Sequence, residues 1–316
     1  MKKVCIVGCG GIARVHAKNL SEEVELSFVS RRRSSAEAFS KEFGGGLVYE
    51  NYEQVLAGDV DGVILCTPPD LHVEQVVAAL AAIKGVMVEK PMCVSKAEVA
   101  VIAEAVRSQA SVPLVVAENY YYKPSLKLIQ SIIDQGLIGA VQEVEVRKCF
   151  SQISTGWKSG YGALLEGGIH FVALVSAIMG ASPERVTAEF PGHRAGTPER
   201  HSLTQMYYER GARAELRYAW NSFSPTKGIF QHSRIKGEEG NLVFESNGLY
   251  VRLKARTRKK LYFPGLADMM GYGAMARDFI ACLNEPGRMP LSGFSEAARD
   301  LDIVFAAYEG LEEKQG

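Results

Sequence analysis

Residues 1–13, MKKVCIVGCGGIA, decide the fold. Val4, Cys5, Ile6 and Val7 make a short unbroken apolar run, the pattern of a parallel strand covered on both faces. A turn follows at once. Gly8, Gly10 and Ala13 fill a G-x-G-x-x-G/A spacing. In that spacing the first position suits a tight turn, the second admits a pyrophosphate, and the third lets helix pack closely on strand. Gly11 and Ile12 open a helix expected to run to about Leu20, its free N–H groups and positive dipole end aimed at the pyrophosphate. Three glycine-type positions say little alone; the strand before them and the helix after them supply the meaning.

A chain of 316 residues has room for about two domains, each with a buried core. Its 36 basic residues balance 36 acidic ones, so no net field favours nucleic acid or an anionic membrane, and a small-molecule partner is expected. Six cysteines (Cys5, Cys9, Cys66, Cys93, Cys149, Cys282) include no C-x-x-C pair and several sit in apolar runs. That usage suits reduced thiols, with neither a disulfide framework nor a metal site. A strand begins by residue 3 and no run of 18 apolar residues occurs, so neither a signal peptide nor a membrane span is expected and a cytoplasmic location is.

The first 120 residues or so alternate apolar runs with helical patterns, as a doubly wound sheet requires. The second strand, Val24 to Ser30, ends where an NAD-binding unit places an Asp or Glu on the ribose 2′-OH. Here the sequence reads Ser30-Arg31-Arg32-Arg33. No carboxylate repels a 2′-phosphate, while Arg31 and Arg32 offer planar forks and Ser30 a hydroxyl, which favours NADP and leaves NAD possible. A helix follows over Ser35 to Phe43. The strand Gly62 to Thr67 ends in Thr67-Pro68-Pro69-Asp70-Leu71-His72, and helical spacing then runs through Val73, Val76, Val77 and Leu80. That loop lies at the carboxyl end of a strand, where ligands of open α/β sheets bind. His72 either faces the cofactor with Thr67 and Pro68 or serves as a capping or core histidine. Strand Gly85 to Val88 delivers Glu89-Lys90-Pro91 to the same edge. A lysine there can hydrogen-bond a substrate oxygen beside a nicotinamide; the alternative is a Glu–Lys pair before a proline turn and a helix over Ser95 to Ser108.

The glycine turn, the T-P-P-x-x-H loop and E-K-P at the ends of consecutive strands resemble the Gfo/Idh/MocA oxidoreductases, the family of glucose-fructose oxidoreductase and inositol dehydrogenase. The resemblance continues after the strand Leu114 to Ala117, through Glu118-Asn119 and Tyr120-Tyr121-Tyr122-Lys123-Pro124, where the family leaves its nucleotide domain. Tyr121 stands where the family often has an arginine. Trp157 and then Gly162-Ala163-Leu164-Leu165-Glu166-Gly167-Gly168-Ile169-His170 are similar to the family's G-A-L-L-D-x-G-x-H, with Glu166 in place of Asp. On a helix Glu166 and His170 are i and i+4 and share a face, so the carboxylate can orient the ring.

The resemblance implies a Rossmann domain over residues 1–120. It implies a substrate-binding and oligomerisation α+β domain over 121–316, with a large, mainly antiparallel open sheet. It also implies an NAD(P)-dependent enzyme acting on a sugar, cyclitol or related ring. Lys90 and His170 then share the proton transfer, Glu166 orients His170, and Glu89 and Asn119 join Lys90 at the cofactor. The open sheet face would join subunits into a homodimer or homotetramer. The family also includes C=N reductases, redox-neutral enzymes and catalytically idle dinucleotide sensors.

From Ala140 the pattern changes to runs with a two-residue period: Val141 to Phe150, Val186 to Phe190, Ser202 to Tyr208, Ala212 to Trp220, Gly228 to Lys236, Asn241 to Glu245 and Leu249 to Lys254. They predict an antiparallel sheet. Helices are expected over Ser125 to Gln135, Gly168 to Met179, Gly271 to Leu283 and Ser295 to Glu312. The basic run Arg252, Lys254, Arg256, Arg258, Lys259, Lys260 reads as a solvated or edge-protecting face. Tyr120, Tyr121, Tyr122, Tyr161 and Trp157 are candidates to line a pocket or to fill interdomain packing.

Overall fold

The computed structural model describes residues 1–312 apart from Ser21, Lys227 and Thr257. The chain forms two compact units: Met1–Glu118 with Tyr272–Ala298, and Asn119–Gly271 with the residues from Arg299 on. The single boundary expected near residue 120 takes no account of this return of the chain to the first unit.

In the first unit β1 (Lys2–Val7), α1 (Gly11–Leu20), β2 (Val24–Val29), α2 (Arg33–Glu42), α3 (Tyr52–Ala57), β3 (Gly62–Leu65), α4 (His72–Ala81), β4 (Gly85–Val88), α5 (Lys96–Ser108) and β5 (Leu114–Val116) follow one another. The strands form a parallel sheet in the order β2-β1-β3-β4-β5. Every residue of β3, β4 and β5 is buried, as is Val4–Val7 of β1, so the continuous apolar runs are strands covered on both faces. Ser95 caps α5 by accepting the Glu98 N–H at 3.3 Å.

The second unit contains α6 (Pro124–Asp134), β6 (Val141–Cys149), α7 (Ile169–Met179), β7 (Arg185–Glu189), β8 (His201–Tyr207), β9 (Arg213–Ala219), β10 (His232–Gly237), β11 (Gly240–Glu245), β12 (Val251–Ala255) and β13 (Lys259–Tyr262). Helix α8 (Tyr272–Asn284) then packs on α1 and β4 of the first unit, and α9 (Phe294–Glu312) closes the chain. The eight strands run β13-β12-β11-β10-β6-β9-β8-β7. All pairs are antiparallel except the central β6–β9 pair, which is parallel from Glu143↔Arg213 to Cys149↔Ala219. The sheet is thus mainly antiparallel, as expected; two-residue alternation reports which face a side chain takes and not the direction of the neighbouring strand, so the one parallel pair could not be read from it.

Val144, Val146, Ala214, Leu216, Ile235 and Leu242 form the buried face, against which α7 packs on β6 and β9. The other face carries Glu143, Glu145, Arg147, Arg213, Glu215, Arg217, Arg234 and Lys236. Strand β10 starts at His232, not Gly228, because Gly228 (φ +78°) and Phe230 (φ +61°) leave the extended region. Strand β13, the outer edge of the sheet, lies inside the basic run, with Lys259 and Lys260 exposed as edge protection requires. Among the described residues no helix is long and apolar enough to cross a membrane.

Candidate active site

Strand register brings the sequence motifs of the first unit to one edge. Val29, Val7, Leu65 and Val88 are in line across β2, β1, β3 and β4. The next residues in line are therefore Ser30, Gly8, Cys66 and Glu89, and after them Arg31, Cys9, Thr67 and Lys90. Gly8 has φ +93°, and a Cβ there would sit 3.0 Å from the Cys66 carbonyl oxygen, so only glycine fits the turn. Its N–H donates to Val29 O at 2.8 Å. Above Gly10 and Gly11 the opposite holds: nothing lies within 4 Å of either Cβ position. Helix α1 starts there with no acidic residue in its first turn, Ile12 is half-buried, and Ala13 is fully buried. A tight turn beneath an open, uncrowded helix N-terminus fits a pyrophosphate.

At the end of β2, Arg33 is taken up by Glu37 at 2.9 Å. Among the described residues the side chains of Arg31 and Arg32 are exposed and have neither an ion pair nor a hydrogen bond. Helix α2 has Arg32 at its N-cap without a side-chain cap and no acidic residue in its first turn. A positive helix end and two unengaged guanidiniums therefore meet beside Ser30.

His72, Glu89 and Asn119 are turned inward. His72 is fully buried, with Nδ1 2.9 Å from Pro91 O and Nε2 2.8 Å from Thr67 O, and burial pulls its pKa below the usual histidine value despite both carbonyls. It staples the Thr67-Pro68 loop, whose Thr67 hydroxyl donates to Gln75 Oε1 at 2.6 Å, to the loop after Lys90. Glu89 lies 2.7 Å from His16 Nε2 and accepts the Lys90 N–H at 3.2 Å. Burial pushes its carboxyl up, but the His16 hydrogen bond and the charges of His16 and Lys90 outweigh it and leave Glu89 below the usual carboxylate value. Asn119, in the second unit, donates from its amide to Met270 O at 2.6 Å. These three side chains shape backbone, and any ligand would meet what they hold. Lys90 is half-buried.

In the second unit Leu164–Gly168 is a π-helical turn that runs on into α7. Glu166 and His170 therefore straddle a π–α junction, and the simple α-helical spacing assumed for them does not hold. Glu166 is buried and accepts from Lys158 Nζ at 2.6 Å. His170 is half-buried and stacks on Tyr120, centroids 5.0 Å apart and planes at 18°. Lys123 Nζ lies 3.9 Å from the other partner in this stack, the Tyr120 ring centroid. Gly167 packs on the sheet so closely that a Cβ would run into the Tyr218 hydroxyl, which accepts from Trp220 Nε1 at 2.9 Å. Trp157 and Tyr161 meet edge to face at 6.0 Å. Tyr121 belongs to the interior: its hydroxyl donates to Asp300 Oδ2 and accepts from Arg299, both at 2.8 Å. Sequence reasoning missed Lys158, although it follows the Trp157 already singled out, and it missed Glu199 and Tyr308, which hold the start of this helix from far along the chain.

A family model described as "Oxidoreductase family, NAD-binding Rossmann fold" matches residues 2–117, and the GFO/IDH/MocA C-terminal domain matches residues 126–243. The chain belongs to the Gfo/Idh/MocA oxidoreductase family. It is 32% identical to glucose-6-phosphate 3-dehydrogenase of Bacillus subtilis (strain 168) over 188 residues, 55% of this chain and 53% of that protein. The matched stretch thus spans about half the length of that relative. Identity to inositol 2-dehydrogenase of Rhizobium meliloti (strain 1021) is 24%, over 98% of this chain and 97% of the relative. The fold is that of a 3-ketoreductase from Actinomadura kijaniata solved with TDP-benzene and NADP, with a TM-score of 0.80 at 22% identity over 98% of this chain and 97% of that one.

Proposed function

We propose that the protein is an NADP-dependent oxidoreductase that moves a hydride between nicotinamide C4 and a carbonyl or secondary alcohol carbon of a sugar, cyclitol or related hydroxylated ring. The observation that carries this reading is the strand register, which puts Ser30-Arg31, the glycine turn, Thr67 and Lys90 on one carboxyl edge. The dinucleotide, when bound, supplies or takes the hydride. The backbone of Gly8, Gly10, Gly11, Ile12 and Ala13 receives its pyrophosphate, with Thr67 and Pro68 alongside. Ser30, Arg31 and Arg32 take the 2′-phosphate, for which the unengaged guanidiniums at the uncapped start of α2 are the support.

Lys90 polarises the substrate oxygen. His170 gives or takes its proton, held flat by Tyr120, and Glu166, ion-paired with Lys158 at 2.6 Å, orients the imidazole. The names of the sugar-phosphate and inositol relatives support the substrate class. The charged sheet face opposite α7 is the surface we assign to subunit contacts.

The test is a library of sugars, sugar phosphates and cyclitols screened with NADP and followed by absorbance of the reduced nicotinamide. Turnover in the wild type should fall by about 10²–10⁴ in Lys90→Ala and in His170→Ala while both still bind NADPH. Unchanged turnover in both variants would remove them from the mechanism, and an inactive wild type that binds the dinucleotide would favour a sensor.

A further inference from the structure

The helix bearing Glu166 and His170 starts without a local cap. Its first N–H groups would be orphans in the protein interior, a state that folded chains avoid. Two residues distant in sequence satisfy them. Glu199 accepts the Ala163 N–H through both Oε2 and its backbone O at 2.9 Å and the Leu164 N–H through Oε1 at 2.8 Å. Tyr308 accepts the Leu165 N–H at 3.2 Å and donates its hydroxyl to Glu199 Oε1 at 2.6 Å. Gly162 makes the approach possible, since a Cβ there would run into both Glu199 Oε1 and Tyr308 Oη. Glu199 is only 4% exposed, and the positive end of the helix is a favourable place for a buried carboxylate.

This clamp grips a turn that is not α-helical. A π turn holds one residue more than the α turn it replaces and persists where its surroundings impose it. Here Glu199 and Tyr308 fix the start of the turn, and Gly167 and Gly168 fix its end against Tyr218. If the start were released, the turn could relax toward α-helical geometry. Glu166 would then rotate around the axis relative to His170, because an α-helix advances about 100° per residue and the wider π turn advances less.

We propose that Glu199 and Tyr308 are positioning residues, which hold the π turn in register and so set the orientation of Glu166 toward His170. The proposal rests on the reading of Glu166 and His170 as an orienting carboxylate and a proton-transfer group. Neither Glu199 nor Tyr308 needs to touch substrate for this; each acts through the helix start.

The test uses the full chain and the variants Glu199→Gln and Tyr308→Phe. The imidazole resonances of His170, identified by their loss in His170→Asn, are followed through a pH titration, and NADPH affinity is measured alongside. Both variants should bind NADPH within about twofold of the wild type, since the glycine turn is untouched. The His170 midpoint should move by about half a pH unit or more in Glu199→Gln and by less in Tyr308→Phe. With a substrate from the screen, kcat should fall about 10- to 100-fold, the scale of a misplaced catalytic group. A lowered melting temperature with an unmoved His170 titration in both variants would overturn the proposal and leave a purely structural cap. If the wild type turns over nothing, the catalytic reading fails separately, and the His170 titration still decides whether the clamp sets the geometry.

Discussion

Replacing Lys158 with methionine keeps the aliphatic stem beside Trp157 and removes the charge 2.6 Å from Glu166. The lysine side chain is 43% exposed and the glutamate only 4%, so the variant takes a half-exposed cation away from a carboxylate that stays in the interior. Removing one member of a fully buried pair costs about 3–5 kcal/mol. Exposed pairs contribute at most about 1 kcal/mol. A half-exposed lysine on a buried carboxylate falls between, at roughly 1–2 kcal/mol, which on a unit of this size lowers Tm by about 2–8 °C. The loss is therefore expected at neutral pH, where the two side chains lie 2.6 Å apart. Melting curves of wild type and Lys158→Met, recorded side by side at neutral pH, should differ by about that amount. No difference at neutral pH would refute the reasoning.

The cofactor reading predicts that wild type binds NADPH more tightly than NADH, and that Arg31→Ala and Arg32→Ala each lose about 1.5–3 kcal/mol toward NADPH alone, or about 10- to 150-fold in affinity; equal wild-type affinities for the two reduced cofactors in a titration would end it. For His72, burial lowers the folded pKa below the ordinary 6.5, so the first unit should lose stability as pH falls through that lowered value. His72→Phe should remove this acid sensitivity yet melt earlier at neutral pH, because the variant leaves the Thr67 and Pro91 carbonyls without their ring contacts at about 1–3 kcal/mol; an unchanged pH dependence of Tm would assign the sensitivity elsewhere.

Much of what the chain encodes locally is legible in the sequence. Val4–Val7, Gly62–Leu65 and Gly85–Val88 read as doubly covered strands because they are apolar throughout, and their order along the chain carried the motifs to one edge. Helix α3 escaped notice because six residues are too few to display a period, although Asn51 caps it by accepting the Gln54 N–H at 2.9 Å. Ile229 and Phe230 look like strand residues in sequence, and it is the backbone at Gly228 and Phe230 that makes a turn of them. The parallel β6–β9 pair was invisible for a different reason, since alternation is the same in either direction.

The second-unit site shows the same division at the scale of single side chains. Trp157, Glu166 and His170 carry a local pattern, but what fixes them does not: Glu199 lies 36 residues from Ala163 and Tyr308 lies 143 from Leu165. Lys158 gives the carboxylate at 166 a partner that no local pattern announces. From within a π turn anchored at both ends, the carboxylate at 166 must reach outward to a lysine on a short helical turn over Gly156–Gly160. Glutamate closes that distance to 2.6 Å; aspartate, shorter by one methylene of about 1.5 Å, would leave the half-exposed Lys158 side chain to bridge the gap.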